Sequence, residues 1–495
     1  MAYRHGVYIS EKPTSLISPV TSDSAIPVFV GTAPLHLSET GLENLDKKVN
    51  SPILAYLYEE AVSKLGFVRD SKRWKDYTLS ECVYSQFALY AVAPAIFINV
   101  LDPDVHKKSI AGAAYEVSDK QARLGDDVIL DSVVVSVTDG GDALVAGTDY
   151  SLGWNKDGAA MLNVLDGGIL DGAASAWASF DVIDPAAVTP ADIIGGYNVA
   201  TKKYEGLELI NSIFNKFRLV IGEVVVPRFS EDPSVAAIMY AKADAVSGVF
   251  KAMAHVDIPC GANGVKDYTE VPEWKNDKNY VYEKEIAFWP QVRLGEDQFH
   301  LSVQCAGLAG KVDSANSGVP VEAFSNKNLQ MDSLVLEDGT EVDLDLFTQA
   351  NYLNGEGITT AVNFIGGWRA WGVQTAAYPA NSDVKDSMIP VRRMFNWIGN
   401  SLILTYFQKV DKPLLKRNIE TVIDSANVWL NGLAAREFLI GHPHVEFSSD
   451  DNPTTDLMAG IVRFHVYATP PSAMKEIEFI LEYDVAQLAT LFETE

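Results

Sequence analysis

The sequence predicts a mixed α/β protein of several domains: an α/β core, an inserted all-β domain and a C-terminal α+β domain, flanked by extended arms. Three observations indicate this. The chain has 495 residues, of which 47% are hydrophobic, enough to fill several cores. Helical and β-rich segments alternate through most of it, which is typical of an α/β core with a partly parallel sheet. At both ends a strand-like segment is separated from the rest by prolines.

The N-terminal arm is predicted over residues 1–25. Residues 5–11 read as one short strand, with Val7 and Ile9 on one face and Tyr8 on the other. Pro13 and Pro19 follow in a stretch rich in Ser and Thr. A strand isolated in this way is not stable alone, so we expect it to pair with another strand.

The α/β core is predicted to be discontinuous, over residues 26–118 and 186–378. Its first strand is expected at residues 27–31. A strand at 219–226 precedes Asp232-Pro233, which is a good helix start, and a further strand follows at 252–258. This order is a βαβ unit, so part of the sheet is expected to be parallel.

Residues 119–185 are predicted to be an inserted acidic β domain on the outer surface. Residues 125–185 contain eleven Asp, no Glu and one Lys. Short β-rich runs alternate there with turn sequences such as Asp139-Gly140-Gly141, which is typical of hairpins. The Asp residues could bind Ca²⁺, but their spacing does not match an EF-hand loop, and a solvated acidic surface is the favoured interpretation.

The C-terminal α+β domain is predicted over residues 379–470. Two apolar faces with helical spacing follow each other, at residues 391–406 and 415–433, and strands are expected at 445–448 and 460–468. Six basic residues lie between positions 391 and 418 with a single acid, Asp411. We call these six residues the basic strip: Arg392, Arg393, Lys409, Lys412, Lys416 and Arg417. The strip is interpreted either as a docking surface for an acidic partner or as a solvated helix face.

The C-terminal arm is predicted over residues 471–495, after Pro470-Pro471. Apolar residues alternate there with acids, with only Ile480 out of phase. The residues of the apolar face are Ile477, Phe479, Leu481, Tyr483 and Val485. This period of two predicts a strand. The arm either adds to a sheet of a neighbouring molecule or folds back onto its own sheet, because periodicity does not identify the partner.

The net charge of −27 excludes several function classes. Such a surface repels phosphate backbones and anionic headgroups, so we expect neither nucleic-acid binding nor membrane insertion. The cysteines, Cys82, Cys260 and Cys305, are too few and odd in number for a disulfide framework, which favours a reducing compartment. No apolar signal segment opens the sequence, so folding in a cytoplasm is expected.

The sequence contains no recognisable catalytic or cofactor motif. A Walker A loop, a GxGxxG fingerprint, a GxSxG elbow, an HExxH pair and a CxxC pair are all missing. The motif search therefore gives no indication of enzyme activity or of a bound cofactor. A Ser-His-Asp triad is assembled in space, so an α/β hydrolase stays a distant alternative. His442, His444 and His465 could present imidazoles to a metal, but an ordinary turn is the favoured interpretation, because a metal site needs three or four converging ligands.

Four segments, taken in order, resemble the tail sheath proteins of contractile bacteriophages, especially P2-like phages, and of R-type bacteriocins and related injection machines. The segments are His5-Gly6-Val7, the stretch GGWRAWGVQT at 366–375, VDKP at 410–413 before an amphipathic helix, and YATPP at 467–471. One departure is Gln374, where relatives tend to have Arg, which puts a charge contact at that position in doubt. The insert is likewise not a constant feature of the family.

The resemblance implies a structural subunit of a virion tail sheath, assembled in the host bacterial cytoplasm. Such subunits form hexameric rings stacked helically around a tail tube, and the sheath contracts to drive the tube through a cell envelope. The expected partners are other copies of the chain, the tail tube protein, and baseplate and tail terminator proteins. The arms are expected to exchange strands between subunits, with the C-terminal domain facing the tube. Sheaths of phages and of bacteriocins or other injection systems are not separated by this chain alone.

Overall fold

The structure, a computed structural model, describes the backbone of residues 19–492 and the side chains as far as residue 488. The predicted N-terminal strand, with Val7, Tyr8 and Ile9, lies outside the described residues. Mixed α/β architecture is confirmed: a large mostly parallel sheet forms the centre, with smaller antiparallel sheets around it.

The first part of the core supplies three strands and two helices. The elements are β1 (Pro27–Gly31), β2 (Ile53–Ala55), α1 (Tyr58–Leu65), α2 (Thr78–Val83) and β3 (Ala95–Asn99). The predicted first strand has the bounds that the sequence indicated. Strand β2 forms an edge of the sheet, because Pro52 and the β-branched Ile53 favour an extended chain that pairs antiparallel with β3.

The insert follows, with six strands in two three-stranded antiparallel sheets. They are β4 (Lys107–Glu116), β5 (Gln121–Asp126), β6 (Val134–Ser136), β7 (Tyr150–Trp154), β8 (Ala159–Val164) and β9 (Ser175–Ile183). A separate hydrophobic cluster that includes Val135, Leu162 and Phe180 fills the space between the sheets. The predicted boundary at residue 119 is too late, because β4 pairs with β9 from Lys107 onward. Strand β4, KKSIAGAAYE, is exposed along most of its length and has no apolar alternation that marks this start.

The second part of the core completes the large sheet. Its elements are α3 (Pro190–Ile194), β10 (Gly196–Asn198), β11 (Lys203–Glu205), α4 (Ile213–Phe217), β12 (Glu223–Val225), α5 (Pro233–Asp244), β13 (Met253–Asp257), α6 (Val271–Asp277), β14 (Glu285–Phe288), β15 (Gln291–Leu294), β16 (Asp297–Phe299), α7 (Leu301–Ala315), β17 (Ser333–Val335), β18 (Glu341–Val342), α8 (Asn351–Gly355), β19 (Ile358–Phe364) and β20 (Gly367–Trp371).

The large sheet has eight strands in the order β2-β3-β1-β12-β13-β14-β19-β20. The six inner strands are parallel, and the two edge strands are antiparallel to their neighbours. The predicted βαβ unit is present as β12-α5-β13, and the Asp232 carboxylate caps α5 by accepting from Ser234 N. The inner strands are buried along their whole length, except for the last two residues of β19, as expected for parallel strands covered on both faces.

The C-terminal domain packs two long helices around a hydrophobic cluster of its own. Its elements are α9 (Val384–Ser387), α10 (Ile389–Tyr406), α11 (Lys416–Ala435), β21 (His444–Glu446), α12 (Thr454–Met458) and β22 (His465–Tyr467). Trp397 of α10 and Trp429 of α11 meet with ring centroids 5.7 Å apart. Strands β21 and β22 form a sheet of only two strands.

The predicted C-terminal strand is not formed within this chain. Residues 471–484 carry no regular secondary structure, and a short 3₁₀ helix, Val485–Phe492, follows. A strand needs a neighbour to satisfy its backbone hydrogen bonds, and the arm has no strand beside it in the described part of the molecule.

Candidate assembly surfaces

The C-terminal arm exposes the face that the sequence predicts should be buried. Phe479 is 85% exposed and Leu481 is 94% exposed, and the other residues of the apolar face are at least two-thirds exposed. Large apolar side chains exposed in a row are characteristic of a surface that another chain covers. The root of the arm is fixed, since Ile440 N donates to Thr469 O at 2.8 Å and Lys475 Nζ lies 5.7 Å from the centre of the Tyr378 ring.

An apolar groove lies open in the C-terminal domain, with a volume of about 810 Å³. We call it the C-domain groove. Its walls come from α10, α11 and the β21–β22 sheet, and they include Leu402, Tyr406, Val422, Phe464 and Val466. Lys409 and Lys412 line one end of the groove, with Asp411 between them. The groove therefore combines apolar walls with cationic groups, which suits an apolar segment that also carries acids.

The six residues of the basic strip do not form one surface. Lys412, Lys416 and Arg417 are exposed, and Lys416 pairs only with Glu420, at 3.6 Å. Arg392 is held by Asp386, with Nη1 and Oδ1 3.0 Å apart. The prediction for Arg393 as a tube contact is wrong, because this side chain is buried.

Arg393 instead joins the C-terminal domain to the core. Its guanidinium donates to Asp313 of α7 at 2.6 Å and lies 3.3 Å from Glu223 of β12. Burial, opposed by Arg393, raises the pKa of Glu223 to about 8. The Ser24 hydroxyl also donates to Asp313, so the cluster reaches the chain that leads out of the N-terminal arm.

Residues 19–24 are anchored on α10. Val20 N donates to Thr405 Oγ1 at 2.9 Å, and the Trp397 indole donates to Ser22 O at 2.6 Å. Sequence reasoning missed this anchor, because the predicted apolar face of α10 covered only one side. In the structure α10 is buried on two sides, and Asn400 on the second side donates to Lys251 O.

The insert is docked on the core by a cluster around Asp127. The Asp127 carboxylate accepts from Arg73 at 2.5 Å and from the Tyr77 hydroxyl at 2.7 Å. His36 is packed between Tyr77 and Trp154 of β7, with its Nε2 3.4 Å from Asp127. Burial is the main reason that the pKa of His36 falls to about 4. The insert thus has a hydrophobic core of its own and also a defined contact with the rest of the chain.

The three histidines singled out from the sequence are spread over the surface around the β21–β22 sheet. His465 Nε2 lies 3.0 Å from Asp451 Oδ2, and the His444 ring stacks on Tyr467. No group of three or more His, Cys, Asp or Glu within residues 19–492 has the geometry of a metal site. Gln374, the departure from the family pattern, is buried, and its Oε1 has no hydrogen-bond partner among the described atoms.

No helix in the described part of the chain is long and apolar enough to span a membrane. No protein-family model matches the chain.

Solved structures identify the fold class as that of contractile sheath proteins. The sheath of an extracellular contractile injection system, PVC, in its contracted state is 13% identical with a TM-score of 0.57, and 98% of this chain and 99% of that chain are covered. The contracted helical sheath of the anti-feeding prophage is 14% identical with a TM-score of 0.56, over 98% and 100%. The sheath tail protein of Desulfitobacterium hafniense has 13% identity, a TM-score of 0.50 and coverages of 95% and 98%.

A sequence relative agrees with this class. The tail sheath protein of Burkholderia phage BcepMu is 27% identical, over 99% of this chain and 98% of its own length. The resemblance to tail sheath proteins that the sequence indicated is therefore confirmed. These relatives are structural sheath proteins rather than enzymes, which removes the α/β hydrolase alternative.

Proposed function

We propose that this chain polymerises with itself as the subunit of a contractile tail sheath, and that each copy places its C-terminal arm in the C-domain groove of a neighbouring copy. One observation carries the proposal: an apolar arm is exposed while an apolar groove stays open in the same chain. The full-length similarity to a phage tail sheath protein supports self-assembly.

The energetics favour exchange of the arm. Burial of one large apolar side chain contributes about 1.5–3 kcal/mol, so Phe479, Leu481 and Tyr483 together contribute several kcal/mol. Each backbone hydrogen bond of an added strand contributes about 0.5–1.5 kcal/mol more. The β21–β22 sheet has only two strands, which is marginal for an isolated sheet, so added strands would complete it.

The fixed roots of the two arms suit a contracting lattice. The chain is anchored on α10 at residues 19–24 and held near Tyr378 at Lys475, while Pro470 and Pro471 stand between the C-terminal domain and its arm. Subunits can then turn as nearly rigid bodies while the arms keep neighbours connected. Contraction in this mechanism is relaxation from a trapped extended lattice and needs no nucleotide.

The remaining partners follow from the same role. We infer that the C-terminal domain faces a tail tube, that baseplate and tail terminator proteins cap the polymer, and that the insert points outward. Assembly takes place in the bacterial host, and the product is a virion sheath or the sheath of an R-type bacteriocin or related injection system. Of the basic strip, Lys412, Lys416 and Arg417 are the candidates for the tube contact, because they are exposed.

Deletion of residues 475–495 tests the arm. The shortened chain should keep its folded body, read by circular dichroism, and lose the tubes that the full chain forms in electron micrographs. A finer variant replaces Phe479, Leu481 and Tyr483 by Ser, and its matched control replaces Val145, Ile169 and Val199, exposed apolar residues away from the arm, by Ser. Only replacement of the arm residues should abolish polymerisation, and undiminished tubes from that variant would contradict the proposal.

A further inference from the structure

The two edges of the eight-stranded sheet carry complementary surfaces. At one edge an apolar projection, here called the apolar tip, is formed by Phe347, Phe364 and Ile365. Ile365 is 77% exposed and Phe347 is 70% exposed. The Phe347 and Phe364 rings meet edge to face, 5.9 Å apart. The tip therefore presents a compact aromatic and aliphatic surface to solvent.

The apolar tip is a rigid feature. It sits at the β19–β20 turn, where Gly366 and Gly367 adopt positive φ angles of 87° and 95° that other residues rarely accept. Arg369 Nε donates to Ile365 O at 3.2 Å, and its Nη1 donates to Asn326 O at 2.8 Å. A turn held in this way loses little conformational freedom when it is buried.

At the opposite edge lies a groove of about 510 Å³ beside β2, here called the edge groove. Its apolar walls are Pro52, Ile53, Leu54, Tyr56 and Phe217. Lys64 and Lys216 donate to the carbonyls of Leu54 and Pro52, at 2.9 and 2.7 Å, so the free edge of β2 is blocked against an added strand. The edge groove is thus suited to side chains rather than to strand addition.

The charges around the two surfaces are opposite. Residues 337–345, which lead to the apolar tip, contain five acids, of which Asp338 and Glu341 pair with Lys266 and Arg293, while the Arg369 guanidinium lies at the tip itself. The edge groove is lined by four lysines, Lys47, Lys48, Lys64 and Lys216, and by two glutamates. Within the described residues Lys64 is the only one of these lysines with a carboxylate partner. On the side of the apolar tip, Asp343 and Asp345 form no ion pair within the described residues.

We propose that the apolar tip of one copy docks in the edge groove of the next copy, as a head-to-tail contact between neighbouring subunits. The inference rests on the proposed self-assembly and adds a second contact, separate from the arms. The two surfaces lie seven strand spacings apart, about 34 Å, on one rigid sheet. A contact between different surfaces repeats from copy to copy and builds a closed ring or a helix.

Cross-linking of a double variant tests the contact directly. Ile365→Cys and Tyr56→Cys place one thiol in each surface, and the native cysteines are buried and do not compete. After polymerisation and treatment with a short bis-maleimide, denaturing gels should show a ladder of covalent multimers. A matched control pairs Ile365→Cys with Val145→Cys, an exposed position in the insert, and should stay monomeric.

The contact also predicts an assembly defect. Ile365→Asp should raise the concentration needed for polymerisation at least tenfold, whereas Val199→Asp, at an equally exposed apolar residue of another hairpin, should leave it unchanged. Tubes of the double cysteine variant that give no ladder, or normal assembly of Ile365→Asp, would overturn the docking while leaving the sheath role intact. A wild-type chain that forms no polymer would contradict the sheath role itself.

Discussion

At the scale of single residues, charge in this sequence does not reveal where a side chain lies. Arg393 belongs to a run of cations yet is buried between Asp313 and Glu223. The acids that bind it are 80 and 170 positions away in the sequence, so no local pattern could indicate the pairing. Lys412, Lys416 and Arg417 follow the expectation of an exposed strip, since they lie beyond the buried part of α10.

The buried cluster gives the first prediction. Arg393→Met should destabilise the joint between core and C-terminal domain by about 3–5 kcal/mol, because Asp313 and Glu223 lose their cation inside the protein. Arg417→Met, a change of the same chemistry on the exposed surface, should change stability by less than about 0.5 kcal/mol. Thermal unfolding followed by calorimetry compares the two, and equal effects would show that Arg393 is not a structural centre.

A second residue-level prediction concerns pH. His36 has its pKa lowered from 6.5 to about 4 by burial, with Asp127, Asp126, Arg73 and Tyr77 as the ionisable groups around it. The stability that neutral, buried His36 gives to the docked insert is therefore fully present above pH 6.5 and is lost as the pH falls toward 4. The full loss is at most about 3.5 kcal/mol, since one pKa unit corresponds to about 1.4 kcal/mol.

The measurement is the unfolding temperature between pH 7.5 and pH 5. His36→Gln should reduce the fall of the unfolding temperature in acid. His442→Gln, at an exposed histidine, should leave that fall as it is in the wild type. If the unfolding temperature falls equally with pH in the wild type and in both variants, His36 does not determine how strongly the insert docks in acid.

At the scale of elements, periodicity located most helices and strands, but not their partners. The strand β1, the β12-α5-β13 unit and the helices α10 and α11 follow from local apolar spacing and caps. The predicted start of the insert is wrong because the residues of β4 are mostly exposed and show no apolar alternation. The pairing of β4 with β9 therefore cannot be predicted from the sequence of β4 alone. The arm has a clear strand pattern and no strand partner within the described chain.

The insert yields an element-scale prediction. Its separate hydrophobic cluster indicates that residues 107–183 fold around a core of their own. Replacement of residues 107–183 by a short Gly/Ser linker should leave the core folded and still able to form tubes, with a modest loss of stability because Arg73 and Tyr77 lose Asp127. Adding Tyr77→Phe to the shortened chain should recover part of that loss. An insoluble shortened chain would indicate that the insert is part of the core.

At the scale of the whole molecule, the proposed function requires a strongly acidic chain to bind copies of itself and a tail tube. Exposed charge pairs contribute about 0–1 kcal/mol each, so cations in the C-terminal domain can align a sheath on an acidic tube without locking it. Reversal of Lys416 and Arg417 to Glu should impair assembly on tubes and spare tube-free polymerisation, and Lys412 is left unchanged because it lines the C-domain groove. Reversal of Lys202 and Lys203, two exposed lysines of the β10–β11 hairpin, is the control for added negative charge. If the first variant assembles around tubes normally at both low and high salt, the exposed cations of the basic strip are only a solvated face.

The fold class could be predicted from the sequence because the four segments that resemble tail sheath proteins lie in order along the chain. The assembly surfaces could not be predicted in this way. Grooves, sheet edges and buried ion pairs join residues that are far apart, so they appear only once the chain is folded. The resemblance indicated that arms are exchanged between subunits, and the structure adds an open groove in the C-terminal domain with the chemistry to receive one.

The central claim is that the arm of one copy completes the C-terminal domain of another. A cryo-electron microscopy reconstruction of tubes formed by the purified chain tests it most directly, because the path of residues 471–485 can be traced between subunits. The account predicts that Phe479, Leu481 and Tyr483 fill the C-domain groove of a neighbouring copy, next to β21 and β22. An arm that folds back into the groove of its own chain, or that stays outside every groove in the polymer, would contradict it.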